Sequence, residues 1–234
     1  MRKLLILLLA ISFLLNISLL TAQTANKQIP DPLRFKKEVN AFVQYDKKNS
    51  FPEQAILFLG SSSIRKWYTH DAFPEFPILN RGFGGSHLSD VLYYYDDLLK
   101  KYDPSVVVFY EGDNDIAYGK SPQQIFDDYK TFIARFNKDF PQSKLIFISI
   151  KPSILRWKKW PLMQQTNQLI RKFNEKHANL FYLDLAKVLL DKDGKPDANL
   201  YIKDGLHLNA NGYARWNRTL RPLLKKLYYK DISK

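Results

Sequence analysis

Five short apolar runs recur along the chain: AILFLG (55–60), PILNRG (77–82), SVVVFYEG (105–112), KLIFISI (144–150) and NLFYLDL (179–185). None alternates apolar with polar residues, as a strand with one wet face does. Strands covered on both faces read this way, and they belong to parallel sheets. Longer amphipathic stretches lie around and between them. PLRFKKEVNAFVQYDKK (32–48) precedes the first run. HLSDVLYYYDDLLKKY (87–102) sets Leu88, Val91, Leu92, Leu98 and Leu99 close to helical spacing. SPQQIFDDYKTFIARFNKDF (121–140) opens on Ser-Pro, an N-cap and first-turn pair. MQQTNQLIRKFNEKHA (163–178) and NANGYARWNRTLRPLLKKLYY (209–229) complete the set. Strands alternating with helices predict an α/β fold on a five-stranded parallel sheet. A length of 234 residues, 45% of them hydrophobic, suits one domain, and no repeat or linker divides the chain.

The N-terminus follows another pattern. Arg2 and Lys3 precede an apolar run from Leu4 to Leu20, and TAQTANKQ follows. Charged, apolar, then small is the order of a secretory signal. Residues 1–25 are expected to be a signal peptide cut near Ala22 to Ala25, with retention as an uncleaved anchor the alternative. Residues 26–234 then form a single exported domain, periplasmic or secreted, with no stable membrane insertion after cleavage. The chain has no Cys, so it is indifferent to the redox state of its compartment. The net charge of +13 attracts polyanions in general. The basic residues are scattered, however, and no nucleic-acid motif accompanies them. The densest clusters, RWKKW (156–160) and the C-terminal tail, read as solvated faces rather than a nucleic-acid groove.

In open parallel sheets the chemistry gathers beyond the C-terminal ends of the strands. Four of the five loops there carry chemically capable or Gly-rich residues: Gly60-Ser61-Ser62-Ser63, Asn80 to Ser86 with its three glycines, Gly112-Asp113-Asn114-Asp115, and Asp204-Gly205-Leu206-His207. Of the four histidines, only His207 has a carboxylate at useful local spacing, in DGLH. There Asp204 can orient one ring nitrogen and leave the other for a serine. His70 and His87 lie near the first two loops, and His177 sits in a polar helical stretch. A Ser where a strand enters a helix offers a hydroxyl to the cleft and an amide to an oxyanion. GSSSI lacks the second Gly of a G-x-S-x-G elbow, and the residues alone do not separate Ser61, Ser62 and Ser63. Gly84-Gly85 allows an unblocked N–H, and Asn114 offers an amide donor. One such oxyanion donor supplies about 3 kcal/mol of transition-state stabilisation. Two further motifs fail: position 114 is Asn where a P-loop ending in Gly119-Lys120-Ser121 needs Gly, and DKDGKPD (191–197) lacks the closing Glu of a calcium loop.

Together the blocks FLGSSSI, NRGFGGS, EGDNDI and DGLH stand in the order of the four blocks of the SGNH hydrolases, the GDSL-type esterases and lipases, and the chain resembles that family from its first strand to about Trp216. The resemblance implies a three-layer α/β/α sandwich of flavodoxin type. It places the nucleophile at Ser62, the base at His207 and the orienting carboxylate at Asp204. The Ser62 and Gly85 amides and the Asn114 side chain become the oxyanion hole. Ser61 stands where the family name has Asp. The implied reaction is acyl transfer through a serine ester, with no metal or organic cofactor. The expected substrate is a small-molecule or glycan ester with a short acyl group; lysophospholipids or thioesters are the alternative, and a non-catalytic glycan- or polyanion-binding module is the reading from another class. Trp67, Phe83, Trp157, Trp160 and Trp216 are candidates for an acyl slot or sugar platform. Arg65, Arg81 and Lys151, by loop position, are candidates for favouring anionic substrates.

Overall fold

The computed structural model describes residues 30–232 of the chain. The expected signal segment, residues 1–25, lies outside the described residues. Five strands form one parallel sheet: β1 (Ile56–Gly60), β2 (Ile78–Gly82), β3 (Val106–Tyr110), β4 (Lys144–Ile148) and β5 (Leu180–Leu183). Their order is β2-β1-β3-β4-β5, the doubly wound order of flavodoxin-like folds. Each strand lies within one of the five apolar runs. β1 and β3 are buried at every position, whereas the edge strand β5 is only half covered beyond Leu180.

The strands bury both faces because consecutive side chains point to opposite sides. Leu57, Leu59, Val107, Phe109, Leu145 and Phe147 meet one helical layer. That layer holds α1 (Lys36–Asp46), the helices after β2, α7 (Pro122–Asp139) and α8 (Trp160–Asn174). Ile56, Phe58, Val106, Val108, Tyr110, Ile146 and Ile148 meet the other layer. There α2 (Ser62–Arg65) and α3 (Thr69–Ala72) pack beside α9 (Ala210–Ile232), which contributes Trp216, Leu220, Leu224 and Leu227. The result is the expected three-layer α/β/α sandwich.

One expected helix is broken. The stretch 87–102 forms α4 (Leu88–Tyr93), α5 (Tyr95–Leu98) and a final 3-10 turn. The break falls at Tyr94, whose backbone leaves the helical region (φ −95°, ψ 19°) while its hydroxyl reaches the Pro32 carbonyl at 3.0 Å. α6 (Asp113–Tyr118) follows β3 directly. Among the described residues, no helix is long and apolar enough to cross a membrane. The strand order reverses between β1 and β3, and open α/β sheets bind ligands at such a switch point. Gly60 is in register with both Gly82 and Tyr110, so the loops after β1, β2 and β3 emerge at one edge.

Candidate active site

β1 ends at Gly60 with φ +138°, and a Cβ there would stand 2.0 Å from the Tyr110 carbonyl oxygen. Only glycine lets β1 and β3 pair this closely while the chain turns into α2. The amides of Ile64 and Arg65 both donate to the Ser61 carbonyl, closing the single turn of α2. Ser61 and Ser63 are buried within it, and Ser62 alone of the three is partly open. Ser62 Oγ lies 2.9 Å from His207 Nε2. The geometry therefore separates three serines that the residues alone do not.

His207 is delivered by the turn that follows Tyr201. Asp204 Oδ1 accepts from the Leu206 and His207 amides, at 2.9 Å each, and Oδ2 lies 2.6 Å from His207 Nδ1. A carboxylate facing Nδ1 keeps the proton there, so Nε2 is left to accept from the Ser62 hydroxyl. Burial pushes the Asp204 carboxyl up, but the bonds from the His207 ring and from two amides outweigh it and hold it at about 2. The turn is anchored from outside. Leu155 N–H donates to the Gly205 carbonyl at 3.0 Å, and Lys151 Nζ donates to the Leu206 carbonyl at 2.7 Å.

The opposite side of the cleft comes from the loops after β2 and β3. Gly85 has φ +76°, which favours glycine, and its amide has no acceptor among the described residues. Gly84 N–H donates to Glu38 Oε1 at 3.1 Å and fixes the turn. Gly112, at φ +114°, swings the chain from β3 into α6, where Asn114 is the second residue. Asn114 Nδ2 donates to the Ser86 carbonyl at 3.0 Å. Ser86 Oγ in turn donates to Glu111 Oε1 at 2.5 Å. Glu111 is fully buried, and burial pushes its carboxyl well above the ordinary value, with the Asp115 charge adding to the rise.

These positions bring Ser62, Gly85, Asn114, Asp204 and His207 to the same strand-end edge of the sheet. The other sequence candidates fall elsewhere. Trp67, Phe83 and Trp216 are buried core residues, with Trp67 also forming part of the walls of the two surface clefts beside Tyr68. Trp157 and Trp160 are half-exposed and stacked, with ring centroids 6.2 Å apart and planes 16° apart. The three cations expected to face a substrate are engaged within the protein. Arg65 pairs with Glu38 at 3.0 Å. Buried Arg81 pairs with Asp46 and donates to the Tyr102 hydroxyl, both at 2.6 Å. Lys151 is buried on the Leu206 carbonyl. His87 is buried against Tyr118, and its pKa is lowered to about 4 by burial, with the Lys120 charge adding to the fall. His70 is exposed, and His177 packs on Phe173. Two surface clefts of about 450 and 500 Å³ flank the exposed Tyr68, and neither is lined by Ser62, Asn114 or His207. Among the described residues, no three His, Asp or Glu side chains are grouped to hold a metal ion.

Sequence reasoning missed Glu111, Ser86 and Arg156. Glu111 carries a signal: a carboxyl at the end of an apolar run implies a buried partner. Arg156 carries none, because RWKKW reads as a solvated face while the Arg156 side chain turns inward onto Asp113.

The sequence profile of the GDSL-like Lipase/Acylhydrolase family matches residues 63–215. The match opens one position past Ser62. No curated protein sequence matches the chain significantly. Solved structures do. One, from Streptococcus pneumonia and provisionally assigned as a platelet activating factor, is 21% identical with a TM-score of 0.74, covering 90% of this chain and 98% of its own. A GDSL-like lipase from Bacteroides thetaiotaomicron is 19% identical with a TM-score of 0.67, covering 80% and 97%. A carbohydrate esterase of family 3 from Talaromyces cellulolyticus is 16% identical with a TM-score of 0.62, covering 75% and 98%. At these identities the neighbours establish the fold. The profile match spans well over half of the chain, so the protein belongs to the GDSL-like Lipase/Acylhydrolase family and is an ester-hydrolysing enzyme.

Proposed function

We propose that the protein is a serine esterase that removes short acyl groups, acetyl first among them, from a carbohydrate or similar small ester. The observation that carries this reading is the continuous relay Ser62–His207–Asp204, at 2.9 and 2.6 Å. His207 Nε2 takes the Ser62 proton as Oγ attacks the ester carbonyl. The developing oxyanion is held by the Ser62 and Gly85 amides and by the Asn114 side chain. His207 returns the proton to the departing alcohol, and an acyl group remains on Ser62. Water, activated by the same ring, then releases the acid. Asp204 stays ionised throughout and steadies the imidazolium.

The carbohydrate preference draws on two supports. The stacked, half-exposed Trp157 and Trp160 offer flat apolar faces on a segment bonded to the His207 turn. The Talaromyces neighbour is a carbohydrate esterase, and another neighbour is an acetyl-xylooligosaccharide esterase. A second reading, a lysophospholipase or thioesterase, draws on Ile154 and Leu155, which are exposed beside Gly205. We further propose that residues 1–25 direct export, so that the enzyme meets its substrate outside the cytoplasm. A panel of aryl esters from acetate to decanoate, with acetylated xylan alongside, tests the choice. Turnover falling steeply beyond four carbons, with acetate released from the glycan, is the expected result. A maximum at eight or more carbons overturns it. Ser62→Ala retaining turnover removes the serine mechanism altogether.

A further inference from the structure

Asn114 is gripped on both sides of its amide. Its Nδ2 donates to the Ser86 carbonyl at 3.0 Å, and its Oδ1 accepts from Arg156 Nη2 at 2.9 Å. Only one orientation of the amide satisfies both contacts. Turned over, it would set NH₂ against a guanidinium and oxygen against a carbonyl. Held as it is, the amide keeps one N–H uncommitted. Arg156 is itself held. Its Nη1 lies 3.1 Å from Asp113 Oδ2, and its amide donates to Ser153 Oγ at 3.2 Å. Asp113 also lies 3.9 Å from Lys151 Nζ, whose other contact is the Leu206 carbonyl beside His207. A belt of polar contacts thus runs from Ser86 through Asn114, Arg156, Asp113 and Lys151 to the turn that carries the base.

We infer that Arg156 is a positioning residue for the oxyanion hole: with Asp113 as its anchor, it fixes the Asn114 amide so that an N–H, and not the carbonyl oxygen, meets the oxyanion. The inference rests on the proposed role of Asn114, and it adds a residue 42 positions away that acts through the Asn114 amide. Without the guanidinium, the Asn114 oxygen loses its donor and the amide can turn over. The penalty falls on the transition state, where the negative oxygen develops, and spares the ground state.

The test is a double-mutant cycle on the full-length protein, with a small aryl acetate as substrate and thermal melts alongside. Arg156→Met is expected to lower kcat about 10- to 100-fold with KM changed less than about threefold, a share of the 10²–10³ that a lost oxyanion donor costs. Asn114→Ala is expected to lower kcat about 10²- to 10³-fold. In the Asn114→Ala background, Arg156→Met should cost less than about threefold more, because no amide remains to be oriented. Arg156→Lys serves if the Met variant fails to fold. It keeps a cation for Asp113, forfeits the two-pronged grip, and its loss must also vanish without Asn114. Equal losses in both backgrounds overturn the inference, as does Arg156→Met at wild-type kcat. Asn114→Ala at wild-type kcat removes the oxyanion role itself, and the inference with it.

Discussion

Gly82 is where the packing of the sheet bears most directly on the reaction. A Cβ at this position would stand 2.3 Å from the Arg65 backbone nitrogen and 2.8 Å from the Ile64 carbonyl carbon. Both atoms belong to α2, which carries Ser62 at its start. Ordinary contact begins near 3.4 Å, so Gly82→Ala forces α2 back by about 1 Å in an interior that has no slack. Ser62 Oγ sits 2.9 Å from His207 Nε2, and a displacement of about 1 Å at a reacting atom costs on the order of 10²-fold in rate. The overpacking itself should cost about 1–3 kcal/mol, which lowers Tm by about 2–4 °C per kcal/mol for a domain of this size. The control is Gly84→Ala. Its Cβ also intrudes to 2.3 Å, but on the far end of the half-exposed Arg65 side chain, which can swing aside at the small cost of its surface pair with Glu38. Aryl acetate hydrolysis on purified variants, with melts in parallel, reads both. The expected result is a folded Gly82→Ala protein about 100-fold slower in kcat/KM and a Gly84→Ala protein within about threefold of wild type. A folded Gly82→Ala variant at full rate would refute the argument, as would equal damage from Gly84→Ala.

Three further predictions rest on buried groups. Glu111 is fully buried with its folded pKa raised above 4.5. Its contribution to stability is therefore full below 4.5 and is lost as pH rises toward the folded value, so Glu111→Gln should gain on wild type by up to about 1.4 kcal/mol per pH unit above pH 5. Denaturant melts from pH 5 to 8 read this, and parallel curves would contradict it. Asp46 joins Arg81 and the Tyr102 hydroxyl in a buried cluster that the exposed Lys101 caps from outside. Asp46→Ala leaves the Arg81 charge unpaired, so about 3–5 kcal/mol should be lost at pH 7; a Tm within 2 °C of wild type would show that the pair is not needed. Lys151→Met leaves the Leu206 carbonyl without its donor and loosens the turn that carries His207. It should slow aryl acetate turnover by about tenfold, in line with the sensitivity of catalysis to small displacements, and unchanged turnover would place the turn's rigidity elsewhere.

The sheet was legible because β1 and β3 are covered on both faces and carry the uninterrupted apolar runs that parallel strands require. The helix over 87–102 was legible only in part: its apolar spacing holds, but Tyr94 leaves the helix where its hydroxyl reaches a segment 62 positions upstream. No local pattern records such a contact. The Ser, Gly, Asn and His loops were readable as blocks in a fixed order, and their resemblance to the family already pointed to Ser62; the residues alone left three adjacent serines open, and the position of His207 in space is what separates them physically. Cations were misread for a physical reason. Sequence shows charge but not direction, and Arg81, Lys151 and Arg156 all turn inward onto partners 35 to 55 positions away. Aromatic residues were open to two readings for the same reason, and Trp67 and Trp216 proved to be core while Trp157 stayed half-exposed.

The proposed mechanism stands on Ser62, and neither neighbour, being the activated nucleophile. A fluorophosphonate probe reports this most directly, because a serine whose proton is being taken by a base reacts with it far faster than an ordinary one. Treat the folded protein, digest it, and locate the adduct by mass spectrometry. A single adduct is expected on Ser62, and it should disappear in His207→Ala. An adduct on Ser61 or Ser63, or none on folded protein that also fails to cleave a small aryl acetate, would contradict the mechanism.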